Sequence, residues 1–330
     1  MGTIKEGANQ ALKNCLKLKR NEAIIIITDN ETLEIGVAFL TEAKKITKDV
    51  DFFILEDFGK RPLKTVPEEI LTSIKKVKAG IYAGQGKEGE LQSFRRPLLK
   101  ETEKHTLRFA NMVNINQTIM EQGMCADYEK IREFSQRLYN IILNAREINV
   151  KTEAGTDFTV SLSTDMRWVN ADGIISKVHW SNLPDGEIYT CPKDTNGKVV
   201  IDGVLGDYFA SKYGLLANTP LLVEIHENRV ISARCSNTDL EDDFKGYIRM
   251  DENSSRVGEF AFGTNMFITK LIGQMLQDEK FPGVHIAFGH GYPERTGCSW
   301  TSKAHLDAVI IRPTVTVDGR KIMEKGVYMI

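Results

Sequence analysis

In residues 304–312, a single residue separates two residues whose side chains can bind a metal ion. Alternate residues of a strand point to opposite faces, so His305 and Asp307 would project from one face while Leu306 packs inward. An imidazole and a carboxylate on the same face can bind a single cation. Alone, this pair is weak evidence, because many surface strands carry a histidine near an aspartate.

A third candidate ligand lies upstream, in the mostly apolar segment Gly283–Gly289. Its alternation places the apolar side chains in the core and His285 on the opposite face. The Gly-rich turn that follows would return the phenol of Tyr292 to the end of this strand. The same turn carries His290, whose role as a ligand, a base or neither is left open by the sequence.

Two glutamates complete the set, and each follows a glycine and precedes an apolar residue, which predicts a carboxylate at the edge of a tight turn. Either Glu187 or Glu259 alone would be an ordinary surface side chain. Together with His285, His305 and Asp307 they supply three carboxylates and two imidazoles. Such a set suits two divalent ions bridged by a carboxylate or a hydroxide.

The mixture of donors indicates the chemistry that such a centre performs. Imidazole and carboxylate suit Zn, Co, Mn or Fe(II), and water bound to such ions becomes acidic enough to furnish hydroxide near neutral pH. A phenol such as that of Tyr292 can donate a hydrogen bond to the oxyanion formed when hydroxide attacks a carbonyl. The residues therefore predict peptide or amide hydrolysis with two divalent metal ions as cofactors, and Tyr292 and Glu187 as catalytic candidates.

The hydrophobic pattern predicts two domains that would position these residues. Over residues 22–84, β-branched runs alternate with amphipathic helical stretches, which predicts an α/β N-terminal domain with parallel βαβ units over residues 1–148. After it, short β-rich segments separated by Gly, Asp and Asn turns predict a mainly antiparallel α+β metal-binding domain over residues 149–330. We expect one helix, residues 265–276, to interrupt that domain.

A second motif, in residues 84–89, matches G-x-G-x-x-G directly after a predicted strand. In dinucleotide-binding folds this motif belongs to the first βα turn and is followed by a strand that ends in an acidic residue. Here it follows the third strand, and no clear strand comes next. The motif therefore predicts a charged, flexible surface loop rather than a cofactor site.

The amino-acid composition limits the classes of binding partner that we expect for this protein. The 330 residues include 43 Lys plus Arg and 45 Asp plus Glu, a net charge of -2, so no broad basic surface is expected to bind nucleic acid or anionic lipid. There is no run of about 20 apolar residues, and the amino terminus lacks the apolar region of a secretory signal. We expect a cytoplasmic protein with no nucleic-acid or membrane partner.

The remaining cysteines and histidines carry no signal of their own. The five cysteines are an odd number without a C-x-x-C pair, which predicts reduced thiols rather than a disulfide framework or a thiolate zinc site. The histidines outside the predicted centre are expected to have ordinary structural or surface roles, and they are His105, His179 and His226.

Four segments resemble, in order and context, the metal-binding segments of the thermophilic-aminopeptidase family of metallopeptidases, M29, and they read NLPDGEIYTCP, VGEFAFGTN, GVHIAFGHGYPE and KAHLDAVI. The upstream stretches GMCADYEKIREF and AGTDFTVSL are similar as well, so the resemblance covers most of residues 120–310. It implies that Tyr292 is the active-site tyrosine. It also implies that the metal ligands are Glu187, Glu259, His285, His305 and Asp307.

The resemblance further implies a dimeric exopeptidase that uses two divalent ions and acts on the free amino end of peptides. We therefore expect a peptide or small-molecule substrate and a homodimer. The chain is shorter than the typical peptidases of this family and carries His290 in its Gly-rich turn. The walls that exclude long peptides are accordingly expected to differ.

Two other functions fit parts of the pattern. The 2,5-dihydroxypyridine dioxygenases share the family's fold, resemble this chain in length and use one non-haem Fe(II), for which His285, His305 and Asp307 could form a facial triad. That alternative leaves Glu187 and Glu259 only the task of orienting the histidines. The third hypothesis is a binding module with a purely structural metal segment, and an open coordination site would argue against it.

Overall fold

The structure, a computed structural model, describes residues 2–175 and 180–330. By its internal contacts the chain divides into two compact units, of which the first comprises Met1–Arg132 and Gly173–Asp185 and the second Glu133–Asp172 and Gly186–Ile330. The domain boundary expected near residue 148 stays a prediction; the contacts change from one unit to the other after Arg132 and return a later segment to the first unit.

The two units contain the following helices and strands, in chain order. The helices are α1 Ile4–Gln10, α2 Leu33–Lys44, α3 Glu68–Ile74, α4 Arg96–Lys104, α5 Gln117–Glu121, α6 Tyr128–Ile142, α7 Asp207–Tyr213, α8 Thr238–Tyr247, α9 Met275–Asp278 and α10 Pro293–Thr296. The strands are β1 Ile24–Thr28, β2 Val50–Ile54, β3 Ala79–Gly84, β4 Arg108–Val113, β5 Glu147–Lys151, β6 Asp157–Ser161, β7 Val169–Ala171, β8 Ser181–Asn182, β9 Glu187–Thr190, β10 Asp194–Ile201, β11 Leu221–His226, β12 Arg229–Arg234, β13 Val257–Gly263, β14 Gly283–Gly289, β15 His305–Ile310, β16 Thr314–Val317, β17 Arg320–Glu324 and β18 Val327–Tyr328.

The first unit is built on a parallel sheet with the order β2-β1-β3-β4-β8. Strand β1 consists of four isoleucines and a threonine, all buried, as expected for a strand covered on both faces. The connections from β1 to β2 and from β2 to β3 contain α2 and α3. The predicted α/β domain with parallel βαβ units is therefore confirmed.

The G-x-G-x-x-G loop follows β3 and is anchored by side chains of its own unit. The Gln85 N–H donates to Asp29 Oδ2 over 2.6 Å, and Arg61 Nη2 donates to the Gln85 carbonyl over 2.6 Å. Arg61 also forms ion pairs with the fully buried carboxylates of Asp29 and Glu90. Two backbone N–H groups of this loop, those of Gln85 and Gly86, thus donate to carboxylate or amide oxygens of the same unit.

The second unit contains two antiparallel sheets. One has the strand order β12-β11-β10-β6-β5-β16-β17-β18, and the other has the order β15-β14-β13-β9-β7. A single apolar cluster contains side chains from both sheets, including Phe158 and Phe260, whose rings meet edge to face with centroids 6.4 Å apart. The predicted mainly antiparallel second half is confirmed, and the shorter sheet carries the candidate site.

One predicted element is wrong. Residues 265–276 do not form a helix; only the single turn α9 begins at Met275. The buried Asp278 carboxylate instead accepts backbone N–H groups from Ile272, Gly273 and Gln274, and Gly273 has φ +76°, so the segment forms a capped loop. Helices α7 and α8, which the sequence pattern does not predict, also lie in this half.

No helix in residues 2–175 or 180–330 is long and apolar enough to cross a lipid bilayer.

Candidate metal centre

The five-stranded sheet of the second unit brings all five predicted ligands to one face. In the β13–β14 pair, Glu259 lies opposite Ala287 and Ala261 lies opposite His285. Across β14–β15, Ala287 lies opposite Asp307. Directly paired residues of antiparallel strands point to the same side, so these side chains share a face.

The same registers place His305 opposite Gly289 and Glu187 opposite Gly263, again on that face. The other face is apolar, and its side chains belong to the core of the unit: Ile188, Phe260, Phe262, Val284, Ile286, Phe288, Leu306, Ala308 and Ile310. Alternation along four strands therefore produces one apolar face and one face of donors separated by alanine and glycine.

The position of Glu259 differs from the expected one. Glu187 begins β9 directly after Gly186, close to the predicted turn, whereas Glu259 lies inside β13. The pairing with β14 is irregular between Val257 and Glu259. A bulge in a strand, rather than a turn, thus aims this carboxylate at the site.

The first group of potential ligands consists of Glu187, Glu259 and His285, whose donor atoms all lie within 4.8 Å of one another. His285 Nε2 lies 3.4 Å from Glu259 Oε1 and 3.5 Å from Glu187 Oε2. Both His285 Nε2 and Glu187 Oε2 are buried without a hydrogen-bond partner in the described part of the chain. Buried polar atoms of this kind are costly, and a cation between them would satisfy both.

The second group consists of Glu259, His305 and Asp307, with donor atoms again within 4.8 Å of one another. His305 Nε2 lies 3.3 Å from Asp307 Oδ1. The other ring nitrogen, His305 Nδ1, lies 3.0 Å from the carbonyl oxygen of His290. If Nδ1 donates to that carbonyl, Nε2 is left as an acceptor, which is the tautomer that a metal ligand needs.

Glu259 belongs to both groups, so its carboxylate is the common member of the two potential ion positions. A carboxylate shared in this way is suited to bridging two cations and offsetting their mutual repulsion. The donor set of nitrogen and oxygen atoms fits Zn, Co or Mn, and no cysteine takes part in either group. The residues present therefore fit a metal centre.

The electrostatics of the cluster indicate a strong demand for positive charge. Burial alone lowers the pKa of His285, but the adjacent Glu259 carboxylate and the charge of Glu187 raise it to about 9. Burial likewise opposes protonation of His305, yet the adjacent Asp307 raises the pKa of this imidazole to about 10. The surrounding carboxylates thus hold cations in place, whether protons or metal ions.

Two charged residues of the site were not predicted. Lys280 is fully buried, and its Nζ lies 2.6 Å from Glu187 Oε1 and 2.7 Å from Glu279 Oε1. It therefore fixes one oxygen of Glu187 and leaves the second oxygen directed at His285. Glu279 and Lys280 directly follow the single turn α9. Neither helical nor strand periodicity predicts which way their side chains point there, so the sequence gives no signal for them.

The Gly-rich turn places Tyr292 beside the second group. Its ring centroid lies 4.9 Å from that of His305 and 5.1 Å from that of His290. Tyr292 adopts φ +51° and precedes α10. Burial, followed by the charges of Glu259 and Asp307, raises the pKa of the phenol well above its ordinary value, so the hydroxyl keeps its proton.

Among the described residues, the remaining histidines, His105, His226 and His290, are not members of either group. The Ser302 N–H donates to His290 Nδ1 over 3.3 Å, which gives this ring a role within its own turn. His105 and His226 contact Glu101 and Glu227, respectively. His179 lies outside the described residues.

The chain is similar to known proteins in its sequence profile and in its fold. A family profile described as thermophilic metalloprotease (M29) matches residues 97–328. AmpT from Thermus thermophilus has a similar structure, with a TM-score of 0.74, 16% identity and 99% of each chain covered. The 2,5-dihydroxypyridine dioxygenase from Pseudomonas putida KT2440 is similar with a TM-score of 0.72, 12% identity and coverage of 99% of this chain and 96% of its own. No curated protein sequence matches significantly.

Proposed function

The chain belongs to the M29 family of thermophilic metalloproteases, and from this premise we propose that it is a metal-dependent aminopeptidase that removes residues from the free amino end of peptides. The observation that carries the proposal is the shared position of Glu259 in two ligand groups on one sheet face. Two neighbouring positions with a common carboxylate are suited to two-metal hydrolysis.

In this proposal each residue of the face has a task. The first ion position is held by Glu187, Glu259 and His285, and the second by Glu259, His305 and Asp307. Divalent ions bound there would supply an acidified water and a Lewis acid for the scissile carbonyl. Lys280 orients Glu187 through its ion pair, and the His290 carbonyl orients His305.

Tyr292 is proposed to stabilise the oxyanion. Its hydroxyl stays protonated, because burial and the nearby carboxylates raise the pKa of the phenol. A protonated phenol beside His305 can donate a hydrogen bond to the carbonyl oxygen as negative charge develops on it. The Tyr189 ring lies 6.2 Å from that of Tyr292, tilted by 59°.

The preference for the amino end of the substrate is supported by membership of the family and not by the charge of the site. Glu187, Glu259, Asp307 and Glu279 contribute four carboxylates in and beside the two groups, and Lys280 is paired with two of them. Two divalent ions bound there would offset these negative charges.

The alternative of an iron dioxygenase receives less support from the geometry. A facial triad needs two histidines and one carboxylate on the same ion. His285 and His305 belong to different groups, and each is grouped with two carboxylates. The dioxygenase of similar structure is 12% identical, a level at which the likeness concerns the fold.

The test uses a short peptide with a free amino end and the same peptide acetylated at that end. We expect release of the first residue from the free peptide only, loss of release on chelation, and recovery when Zn, Co or Mn is restored. Glu259→Gln should abolish the activity, whereas Glu153→Gln, at an exposed position of the same unit, should not. Equal cleavage of both peptides, or cleavage insensitive to chelation, would refute the proposal.

A further inference from the structure

Two of the five cysteines meet directly behind the turn that carries Tyr292. Cys191 follows β9 and Cys298 follows α10, and both are buried, with exposed fractions of 0% and 4%. Their side chains lie in one small buried cluster together with Trp300. They are 107 positions apart in the chain, so only the fold reveals them as a pair.

Gly291 explains how closely the two sulfur atoms approach the turn. A Cβ atom at this position would lie 2.7 Å from Cys298 Sγ and 3.1 Å from Cys191 Sγ. Both sulfur atoms therefore pack on the backbone of the residue that immediately precedes Tyr292. Any change in the bonding between the sulfur atoms must be accommodated by this peptide segment.

The surroundings of the pair favour thiol chemistry at Cys298. The neighbouring Cys191 side chain lowers the pKa of Cys298 to about 7, against the opposing effect of burial, and Thr296 acts in the same direction. When it is protonated, the Cys298 thiol donates to the Trp300 carbonyl over 3.0 Å. A thiol with this pKa is about half thiolate at neutral pH, and the thiolate is the reactive form. The neighbouring Cys298 and, after it, burial raise the pKa of Cys191, which keeps its proton.

The pair also has a fixed scaffold. Trp300 and Cys298 belong to one apolar cluster with Cys191, and the Trp300 indole N–H donates to the Gly289 carbonyl over 3.0 Å. The Arg256 guanidinium stacks 3.8 Å from the Trp300 ring centroid. These contacts hold the cysteines against the turn, so the sulfur atoms stay near each other in the native protein.

We propose that Cys191 and Cys298 form an oxidisable dithiol, which hydrogen peroxide converts into a disulfide that lowers activity by displacing the Tyr292 turn. The Cys298 thiolate attacks peroxide, giving a sulfenic acid and hydroxide. The Cys191 thiol then attacks the sulfenic sulfur, forming the S–S bond and releasing water. In sum, two thiols lose two hydrogens and one peroxide becomes two waters.

The chemical part of the test does not depend on the proposed function. The metal-loaded protein is treated with a small excess of hydrogen peroxide, its free thiols are alkylated after unfolding, and non-reducing peptide mapping follows. We expect a peptide pair linked through Cys191 and Cys298, which dithiothreitol separates. Recovery of both cysteines in alkylated form, with oxidation elsewhere or none, would overturn the proposal.

The effect on the turn rests on the proposed aminopeptidase activity and has its own test. Oxidised wild type should lose about tenfold or more of its activity, as expected when Tyr292 is moved, and recover on reduction. Cys298→Ser should resist this loss, whereas Cys235→Ser, at a half-buried cysteine away from the pair, should behave as wild type. If the protein with the Cys191–Cys298 disulfide kept full activity, the proposed effect of the disulfide on the Tyr292 turn would be overturned. If the protein were inactive in every form, the proposed aminopeptidase function would be refuted, and peptide mapping would still show whether the disulfide forms.

Discussion

Among single residues, Glu259 connects the two halves of the candidate centre, because each ligand group is incomplete without it. Its carboxylate is buried, and burial, together with the charges of Glu187 and Asp307, raises its pKa above the ordinary value despite the adjacent His285. A buried carboxylate with a raised pKa is held at an energetic cost unless a cation accompanies it. The shared position therefore distinguishes Glu259 from the other four ligands.

Glu259→Gln and His285→Gln should differ in the number of ions that they remove. The first change affects both groups, so we expect close to no bound metal, whereas the second affects one group and should leave about one ion per chain. Elemental analysis of each purified variant measures this. Identical losses in the two variants would contradict a shared ligand, and Glu153→Gln serves as the unaffected control.

Tyr292→Phe removes only the hydroxyl group next to His305. If the hydroxyl stabilises an oxyanion, kcat should fall by about ten- to a thousandfold, while KM changes little and the metal content stays as in wild type. Steady-state kinetics with a short free peptide give both constants. An unchanged kcat would leave the phenol with a packing role.

Strand periodicity made much of the site predictable from the sequence. Alternation in the last strands indicated that His285, His305 and Asp307 share a face opposite the core, and the structure brings them there. Lys280 and Glu279 were not predictable, because they follow a single helical turn and reach the site only through the tertiary fold. Hydrophobic periodicity predicts the direction of side chains within a helix or strand, and it gives no such prediction for a segment that belongs to neither.

At the level of elements, the donor face depends on small residues between the ligands. Ala287 lies directly between Glu259 and Asp307 across three neighbouring strands, and Ala261 and Gly263 occupy equivalent places beside His285 and Glu187. A larger side chain at these positions would fill the volume in which the donor atoms converge. The sheet thus supplies both the direction of the ligands and the space for what they bind.

Ala287→Leu should therefore abolish metal binding while leaving the apolar face of the sheet intact. Ala287→Gly keeps the space and should retain metal, with a loss of about 1 kcal/mol in the free energy of unfolding from the glycine alone. Metal content and circular dichroism of both variants are the measurements. Full metal loading of the leucine variant would show that this face is not the binding volume.

The first unit has its own buried ion cluster, which ties three loops to the sheet. Arg61 pairs with Asp29 after β1 and with Glu90 after β3, and Glu90 also accepts the Leu63 N–H over 2.7 Å. Burial raises the pKa of Glu90, but the hydrogen bonds from Arg61 and Leu63 outweigh it and hold the pKa below its ordinary value. The cluster should stabilise the fold as long as Glu90 is ionised.

Glu90→Gln should destabilise the first unit by about 3 kcal/mol at neutral pH, because it leaves Arg61 buried with one partner fewer. A lowered native pKa means that the stabilisation is complete above the ordinary glutamate pKa of 4.5 and declines as the pH falls through the native value. Denaturant unfolding of wild type and variant at several pH values measures the difference. A gap that persists unchanged at low pH would contradict this, and Glu88→Gln, exposed in the same loop, is the control.

The elements themselves were predictable where apolar runs were uninterrupted, as in β1 and β3, and less so where polar residues are buried. The sequence pattern does not predict strand β4, because Arg108 and Asn111 interrupt its run of apolar residues. In the fold, Arg108 donates to the Leu16 carbonyl and pairs with Glu22, and Asn111 donates to Asn182 of β8. Tertiary hydrogen bonds thus permit a strand that local pattern does not indicate.

For the whole molecule, metal binding should be linked to stability. The five candidate ligands lie on strands β9, β13, β14 and β15, which are distant in sequence and come together only in the native second unit. A ligand that binds only the folded state stabilises it by about 2.7 kcal/mol at a hundredfold excess over its Kd. Folding and metal loading are therefore expected to support each other.

Chelation should accordingly lower the melting temperature of the wild-type protein, and restoring Zn, Co or Mn should raise it again. Glu259→Gln, which is expected to bind little metal, should melt at a temperature that chelator does not change. Differential scanning calorimetry of the two proteins with and without chelator makes the comparison. Equal shifts in both proteins would place the stabilising ion elsewhere.

The homodimer and the cytoplasmic location stay predictions of the sequence. Several large apolar side chains are exposed in the single chain, including Ile231 at 63% and Val327 at 67%. Sedimentation velocity at several protein concentrations tests the dimer directly, and a monomer at all concentrations would refute it.

The most direct measurement of the central claim is the metal content of freshly purified protein. Two adjoining ligand groups that share Glu259 predict about two ions of Zn, Co or Mn per chain. A content of about one iron per chain, or of no metal that survives purification or reloads afterwards, would contradict a two-metal peptidase centre.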